Sequence, residues 1–244
     1  MALYTTEAIV LGAKNWGEAD KIMTFFTRER GLVRATAFGC RRPRSQLAGA
    51  MQLFSELEVQ LAEGQRLDTV RTATTQRHYK RLGEDLTCMA YGAFVAEFLR
   101  ETLPEGQPEP EMYARLQAIL AAFETRNPRV TALAAVYQLL EYTGLELHYE
   151  RCVHCAAELQ GDAFFAINEG GALCPHCRTA QAVPYPASVR ELIVALRDLD
   201  WGSAAQLRIH GHDLVAAESI MLAYLPTIIG HPLRSLAFIQ QVTA

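Results

Sequence analysis

Ile9–Gly39, IVLGAKNWGEADKIMTFFTRERGLVRATAFG, decides the fold. Its β-branched and aromatic residues come in short runs broken by glycine at 12, 17, 31 and 39, which suits strands and turns rather than helices. Arg30-Gly31 separates KIMTFFT from LVRATAF, and a glycine there fits a hairpin because it tolerates positive φ. Working outward, the loop CRRPRSQLAGA (40–50) follows. Then QLFSELEVQLAEG (52–64) and RLDTVRTATTQRHY (66–79) are expected to pair across Gly64-Gln65. Phe54, Leu57, Val59 and Leu61 fall on alternating positions with one irregularity, expected as a bulge. Five strands with turns every 8–12 residues or so point to a small closed barrel, because closure removes exposed edges. An OB-fold is the most economical such barrel; a β-sandwich is the alternative.

After Tyr79 the apolar period changes. Cys88, Tyr91, Val95 and Phe98, flanked by Phe94 and Leu99, form a helical stripe. LPEGQPEPE (103–111) is a connector, and a second helix runs through Leu116, Ile119 and Leu120. Asn127-Pro128 opens a third helix, which Gly144 ends. Two more close the chain, with Ser188 and Asp213 expected as their caps. The expected class is α+β: an OB-fold barrel over residues 1–80, then a helical domain over 81–244 carrying a metal-binding insert at about 148–180.

Of the 244 residues, 50% are hydrophobic and 20% charged, an ordinary globular balance. No apolar run reaches the ~18 residues of a membrane helix; the best, Leu214–Ile229, contains Glu218 and Pro226. The opening MALYTTEAIVLG lacks a basic n-region, so a cytoplasmic protein is expected. The formal net charge of −4 divides unevenly, +4 over residues 1–80 and −8 over the remainder. The first third therefore attracts phosphate and the rest repels it.

Cys152, Cys155, Cys174 and Cys177 read C-x2-C, 18 residues, C-x2-C, the spacing of a zinc ribbon. AFFAINEGGALC (163–174) supplies two short strands through Gly170-Gly171 that bring the knuckles together. Four thiolates close the coordination shell, so one structural Zn2+ per chain is expected rather than a catalytic ion. Disulfides are the bland alternative. His154 and His176, inside the knuckles, read as bystanders, and His210-Gly211-His212 as a turn before a helix.

The second constellation is basic. Arg28, Arg30, Arg34, Arg41, Arg42 and Arg44 are opposed over 28–44 only by Glu29. Guanidinium forks match phosphate oxygens, and with Lys14 and Lys21 these eight residues are the candidate DNA-binding set, expected along one rim of the barrel. Trp16, Phe25, Phe26, Phe38 and Tyr79 offer stacking surfaces for unpaired bases if they lie outside the core. There is no G-x-x-x-x-G-K-[ST], G-x-S-x-G or H-E-x-x-H. Cys40 has no base beside it, Cys88 reads as core, and no active site is legible. A zinc-ribbon adaptor whose barrel binds protein or RNA, and a zinc enzyme, are the competing readings.

EAIVLGAKNWGEADKIMTFFTRERGLVRATAFGCRRPRSQLAGAMQ (7–52), LLEYTGLELHYERCVHC (139–155) and PLRSLAFI (232–239) resemble the bacterial RecO recombination mediators, with GEAD, FTRERG and RRPRS the specific motifs. The likeness runs through essentially the whole chain. One departure is at Phe38, near which relatives often carry a basic residue. The resemblance implies an OB-fold, a helical domain with a zinc motif, and no enzymatic turnover. It implies binding of single- and double-stranded DNA and annealing of complementary strands. It further implies partnership with RecR and with the C-terminal tail of single-stranded-DNA-binding protein, so that RecA loads during repair. Location at the nucleoid in the cytoplasm, away from any membrane, goes with those partners.

Overall fold

A computed structural model describes residues 2–203 and 207–243. Its contacts divide the chain into two compact units, one running through Pro128 and rejoined by the segment from Ser235, the other comprising Arg129–Arg234. The change from strands to helices falls where composition puts it, after Tyr79, whereas the helices up to Pro128 pack with the barrel.

In the first unit, β1 (Leu3–Trp16), β2 (Asp20–Thr27), β3 (Gly31–Ala37), β4 (Glu56–Ala62) and β5 (Asp68–Arg77) close a barrel in the order β1-β2-β3-β5-β4. All neighbours are antiparallel except β3 and β5. This is the connectivity of the expected OB-type barrel. Inward-facing Ala8, Val10, Met23, Phe25, Ala35, Leu57, Val59, Leu61 and Val70 fill it. The register of β1 slips between Val10 and Gly12, so the fourteen-residue strand bends and serves both β2 and β4. The bulge expected after Phe54 falls between Glu56 and Leu57, where the β4–β5 register slips. Phe54 itself, just before β4, is at φ 67, and its N–H donates to the Val10 carbonyl at 2.8 Å. Its ring lies against Gly92, where a Cβ would come within 2.9 Å of it.

Helices α1 (Lys80–Glu84), α2 (Leu86–Thr102) and α3 (Pro110–Phe123) cover part of the outer barrel surface. Asp85 separates the first two and caps α2, accepting from the Cys88 N–H at 3.0 Å. Phe26, on the strand face opposite Phe25, is buried beneath Tyr113 of α3, ring centroids 5.9 Å apart. Burying each such ring contributes about 1.5–3 kcal/mol.

The second unit opens with α4 (Pro128–Tyr142). Gly144 at φ 71 ends it, with Leu145 N–H reaching the Leu140 carbonyl at 2.8 Å and Gly144 N–H the Glu141 carbonyl at 3.1 Å. Strands β6 (Ala163–Ala166), β7 (Gly171–Leu173) and β8 (Val183–Tyr185) form a small sheet in the order β7-β6-β8, of which β8 has no signature in the sequence. Then come α5 (Ala187–Arg197) and α6 (Gly211–Ile229), while α7 (Ser235–Thr243) returns to the first unit and packs on α2.

The two expected caps are not caps. Pro186 precedes α5 and His210 precedes α6, neither with a side-chain cap. Ser188 instead donates its hydroxyl to buried Asp213 at 2.8 Å, so each polar group satisfies the other between helices. By length and composition α6 is the one described helix apolar enough to cross a membrane. Its Leu214, Ala217, Ile220, Met221 and Leu225 are nevertheless buried, and its Glu218 pairs with Arg129. It packs as a core helix.

Candidate nucleic-acid interface and metal site

Strand register sorts the candidate side chains onto faces. Ala13, Met23 and Ala35 stand abreast on β1, β2 and β3, with Met23 and Ala35 in the core. The rows on either side must therefore face outward. They are Gly12–Thr24–Arg34 and Lys14–Ile22–Thr36, and beyond them Trp16 pairs with Asp20. Phe38 follows inward-facing Ala37, so the pleat turns it outward beside that last pair. Trp16 and Phe38 are 56% and 59% exposed, so of the five candidate rings these two lie outside the core, the condition for stacking on a base. Phe25, Phe26 and Tyr79 are buried and are not; the Tyr79 hydroxyl donates to Glu56.

The loop after β3 is tied to this end of the barrel. Gly39 N–H donates to Asp20 Oδ1 at 2.7 Å, Arg41 N–H to the Ala19 carbonyl at 2.9 Å, and Arg41 Nη1 to the Gly17 carbonyl at 3.4 Å. Arg41, Arg42 and Arg44 are exposed on it. Lys21, opposite Asn15 and Ala37, is half-buried at the mouth of the barrel. Among the described residues, Lys14, Lys21, Arg41, Arg42 and Arg44 have no carboxylate partner, and Glu18 and Asp20 are the acids of the adjoining turn.

The structure does not bring all eight cations to one rim. Arg28 and Arg30 occupy the β2–β3 turn, six paired positions or about 20 Å along the hairpin from Lys21. There Arg28 pairs with Glu7 at 3.0 Å, while Arg30 pairs with Glu63 at 2.6 Å and lies 3.8 Å over the Tyr4 ring. Arg34 sits midway, 3.9 Å from Glu105. Turns at opposite ends of a strand look adjacent in sequence, and that proximity produced the single-rim expectation.

The sequence reading missed the outward residues between the cations, Asp20, Ile22, Thr24 and Thr36, and it missed Arg100. From α2, Arg100 Nη1 donates to the Leu11 carbonyl at 2.6 Å, its guanidinium filling the space left by Gly12. Nothing local in the sequence marks Arg100; only the packing of α2 places it there.

In the second unit the four cysteine sulfurs lie within 4.8 Å of one another. Each knuckle buries its first cysteine, Cys152 or Cys174, and leaves the second, Cys155 or Cys177, nearer solvent. Ala156 at φ 59 turns the first knuckle, its N–H donating to the Cys152 carbonyl at 2.8 Å. Gly171 is required where the Val153 side chain crosses, since a Cβ would stand 2.1 Å from it. Burial works against ionising Cys152, but the N–H groups of Cys174, Cys155 and His154 outweigh it and draw the thiol down to about 6. Hydrogen bonding to Cys174, Cys155 and Cys152 pushes Cys177 up to about 12.

This donor set fits a tetrahedral ion. Sulfurs about 2.3 Å from a metal stand about 3.8 Å apart along a tetrahedral edge, and Cys155 and Cys174 are 3.8 Å apart. None of the six cysteines is joined in a disulfide in this structure. His154 pairs with Glu169 at 2.6 Å and His176 lies outside the cluster. His210 and His212 stack on each other, centroids 5.8 Å apart. Burial raises the Cys40 thiol and pushes Cys88 up to about 11, the opposite of activation.

Residues 1–79 match the family described as "Recombination protein O N terminal", and residues 83–237 match "Recombination protein O C terminal". Among curated relatives, a DNA repair protein RecO of Symbiobacterium thermophilum is 34% identical over 232 residues, covering 92% of each chain. That of Pelotomaculum thermopropionicum is 32% identical over 243 residues, 99% of this chain and 95% of its own. That of Thermobifida fusca is 32% identical over 246 residues, 99% and 100% respectively.

Proposed function

This chain belongs to the RecO family of DNA repair proteins, and we propose that it acts there as a recombination mediator without enzymatic turnover. It binds single- and double-stranded DNA at the Trp16/Phe38 end of the barrel and anneals complementary single strands. With RecR, it helps load RecA on DNA coated with single-stranded-DNA-binding protein, whose C-terminal tail it engages through its helical part. It works in the cytoplasm at the nucleoid.

The observation that carries this reading is that five cations without carboxylate partners among the described residues share one end of the barrel with two exposed aromatic rings. The cations neutralise phosphates, so two polyanionic strands approach with less mutual repulsion. The rings hold bases unstacked and ready to pair. Arg28, Arg30 and Arg34 complete the candidate set more weakly, because carboxylates beside them already take part of their charge.

The metal is zinc in this proposal, one per chain, held by Cys152, Cys155, Cys174 and Cys177. Four thiolates leave no place for a reacting water, so the ion supplies cross-linking of two knuckles and no Lewis-acid chemistry. The test is annealing of two complementary labelled oligonucleotides by the full-length protein, alone and with strands coated by single-stranded-DNA-binding protein. Acceleration that fades as salt rises supports the proposal. A rate equal to the spontaneous one at low salt refutes it.

A further inference from the structure

Asp20 is out of place on a surface built to attract phosphate. It lies directly opposite Trp16, and its Oδ1 accepts from the N–H of Gly39, the residue after Phe38. The only carboxylate of these outward rows therefore stands between the two exposed rings, with Lys14 on the neighbouring outward row and Arg41 on the loop that Asp20 latches. No hydrogen bond in the described structure occupies its second oxygen. Such a group repels the sugar–phosphate backbone from the strip between the rings. A base stacked on either ring brings its edge to that strip instead.

Resting on the mediator reading, we propose that Asp20 is a specificity-determining residue: it turns the bases of a bound single strand inward and accepts hydrogen bonds from their amino groups. The chemistry separates the bases. Cytosine and adenine present an exocyclic amino donor, and guanine presents two adjacent donors. Thymine presents one N–H between two carbonyl oxygens, both of which a carboxylate repels. The phosphates are displaced outward onto Arg41, Arg42, Arg44 and Lys14.

The test measures binding of labelled oligo(dC) and oligo(dT) of equal length by the full-length protein at one salt concentration. The two polymers carry the same charge, and neither forms a duplex with itself at neutral pH. The wild type is expected to bind oligo(dC) about 3- to 10-fold more tightly. Asp20→Asn keeps the oxygen that accepts from Gly39 and replaces the free oxygen with a donor, so the loop stays latched. It should raise overall affinity and bring the ratio to one or reverse it. Asp20→Ala, with its fold checked by circular dichroism, should also abolish the preference. A wild type without preference, or an Asp20→Asn ratio equal to that of the wild type, overturns the assignment of Asp20 while leaving DNA binding intact. If neither oligonucleotide binds the wild type at low salt, the mediator reading fails and takes this inference with it.

Discussion

Gly31 lies so close to Gln107 that a Cβ on the glycine would stand 1.8 Å from the Gln107 carbonyl oxygen. The same glycine has φ 62 and closes the β2–β3 hairpin opposite Thr27. One position thus serves the turn and admits the connector between α2 and α3 against the barrel. Gly31→Ala should cost more than about 2 kcal/mol, since a left-handed alanine alone costs about 1–2. At this chain size each kcal/mol lowers Tm by about 2–4 °C. A thermal unfolding curve matching the wild type would show that the backbone moves aside freely.

Removing Arg41, Arg42 and Arg44 together should weaken single-strand binding and flatten its salt dependence. Each lost phosphate contact takes about 0.7 from the log–log slope, so the triple alanine variant should lose about 2. Arg28→Ala should change the slope little, its charge being engaged by Glu7. Fluorescence anisotropy across a salt series checks both, and equal effects from the two variants would remove the distinction between the ends of the barrel.

Trp16 fluorescence should be quenched when single strands bind, because its ring is open to stacking, whereas the Trp201 indole N–H is engaged by Gln138. Trp16→Ala should lose the quenching and about 5- to 100-fold in affinity, the range for one stacked base. Quenching that persists in Trp16→Ala would assign the signal elsewhere.

Metal content should be one zinc per chain by mass spectrometry, and Cys174→Ser should lose it. The loss should remove several kcal/mol from the unit built around the knuckles. His154→Ala and His176→Ala should keep the ion. Loss of zinc from either histidine variant would contradict the four-sulfur shell.

Alkaline pH should unfold the protein. Burial raises the phenols of Tyr79, Tyr137, Tyr149 and Tyr185 above the ordinary value of 10.0. Their folded forms hold the proton more tightly, so the stability they contribute is complete below pH 10 and falls as the unfolded phenols ionise above it. Urea midpoints should therefore decline above pH 10, with tyrosinate absorbance appearing together with loss of helical circular dichroism. Tyrosinate formed gradually in a still-folded protein would contradict this.

Strands β1 to β5 and the two cysteine pairs were legible from the residues because both are local signals. Alternating apolar residues and glycine turns mark a strand whatever it pairs with, and a C-x2-C turn positions its own two sulfurs. Ser188 and Asp213 depart from the expected caps for the converse reason: each side chain has a better partner 25 residues away than its own helix N-terminus. Strand β8 escaped because three residues are too few to show a period.

Which face a cation occupies is not a local property. A shift of one residue in register would send Lys14 and Trp16 to the inside of the barrel, and that register depends on the slip at Val10/Gly12 and on pairing with β2. Chain order placed Arg28, Arg30, Arg41, Arg42 and Arg44 in one cluster, but the hairpin carries the first two to the far end of the barrel. Asp20 between Trp16 and Phe38, and Arg100 over Gly12, exist as neighbours only once strands and helices have packed. Residue type and spacing set what each segment can become, and long-range pairing sets which side chains meet.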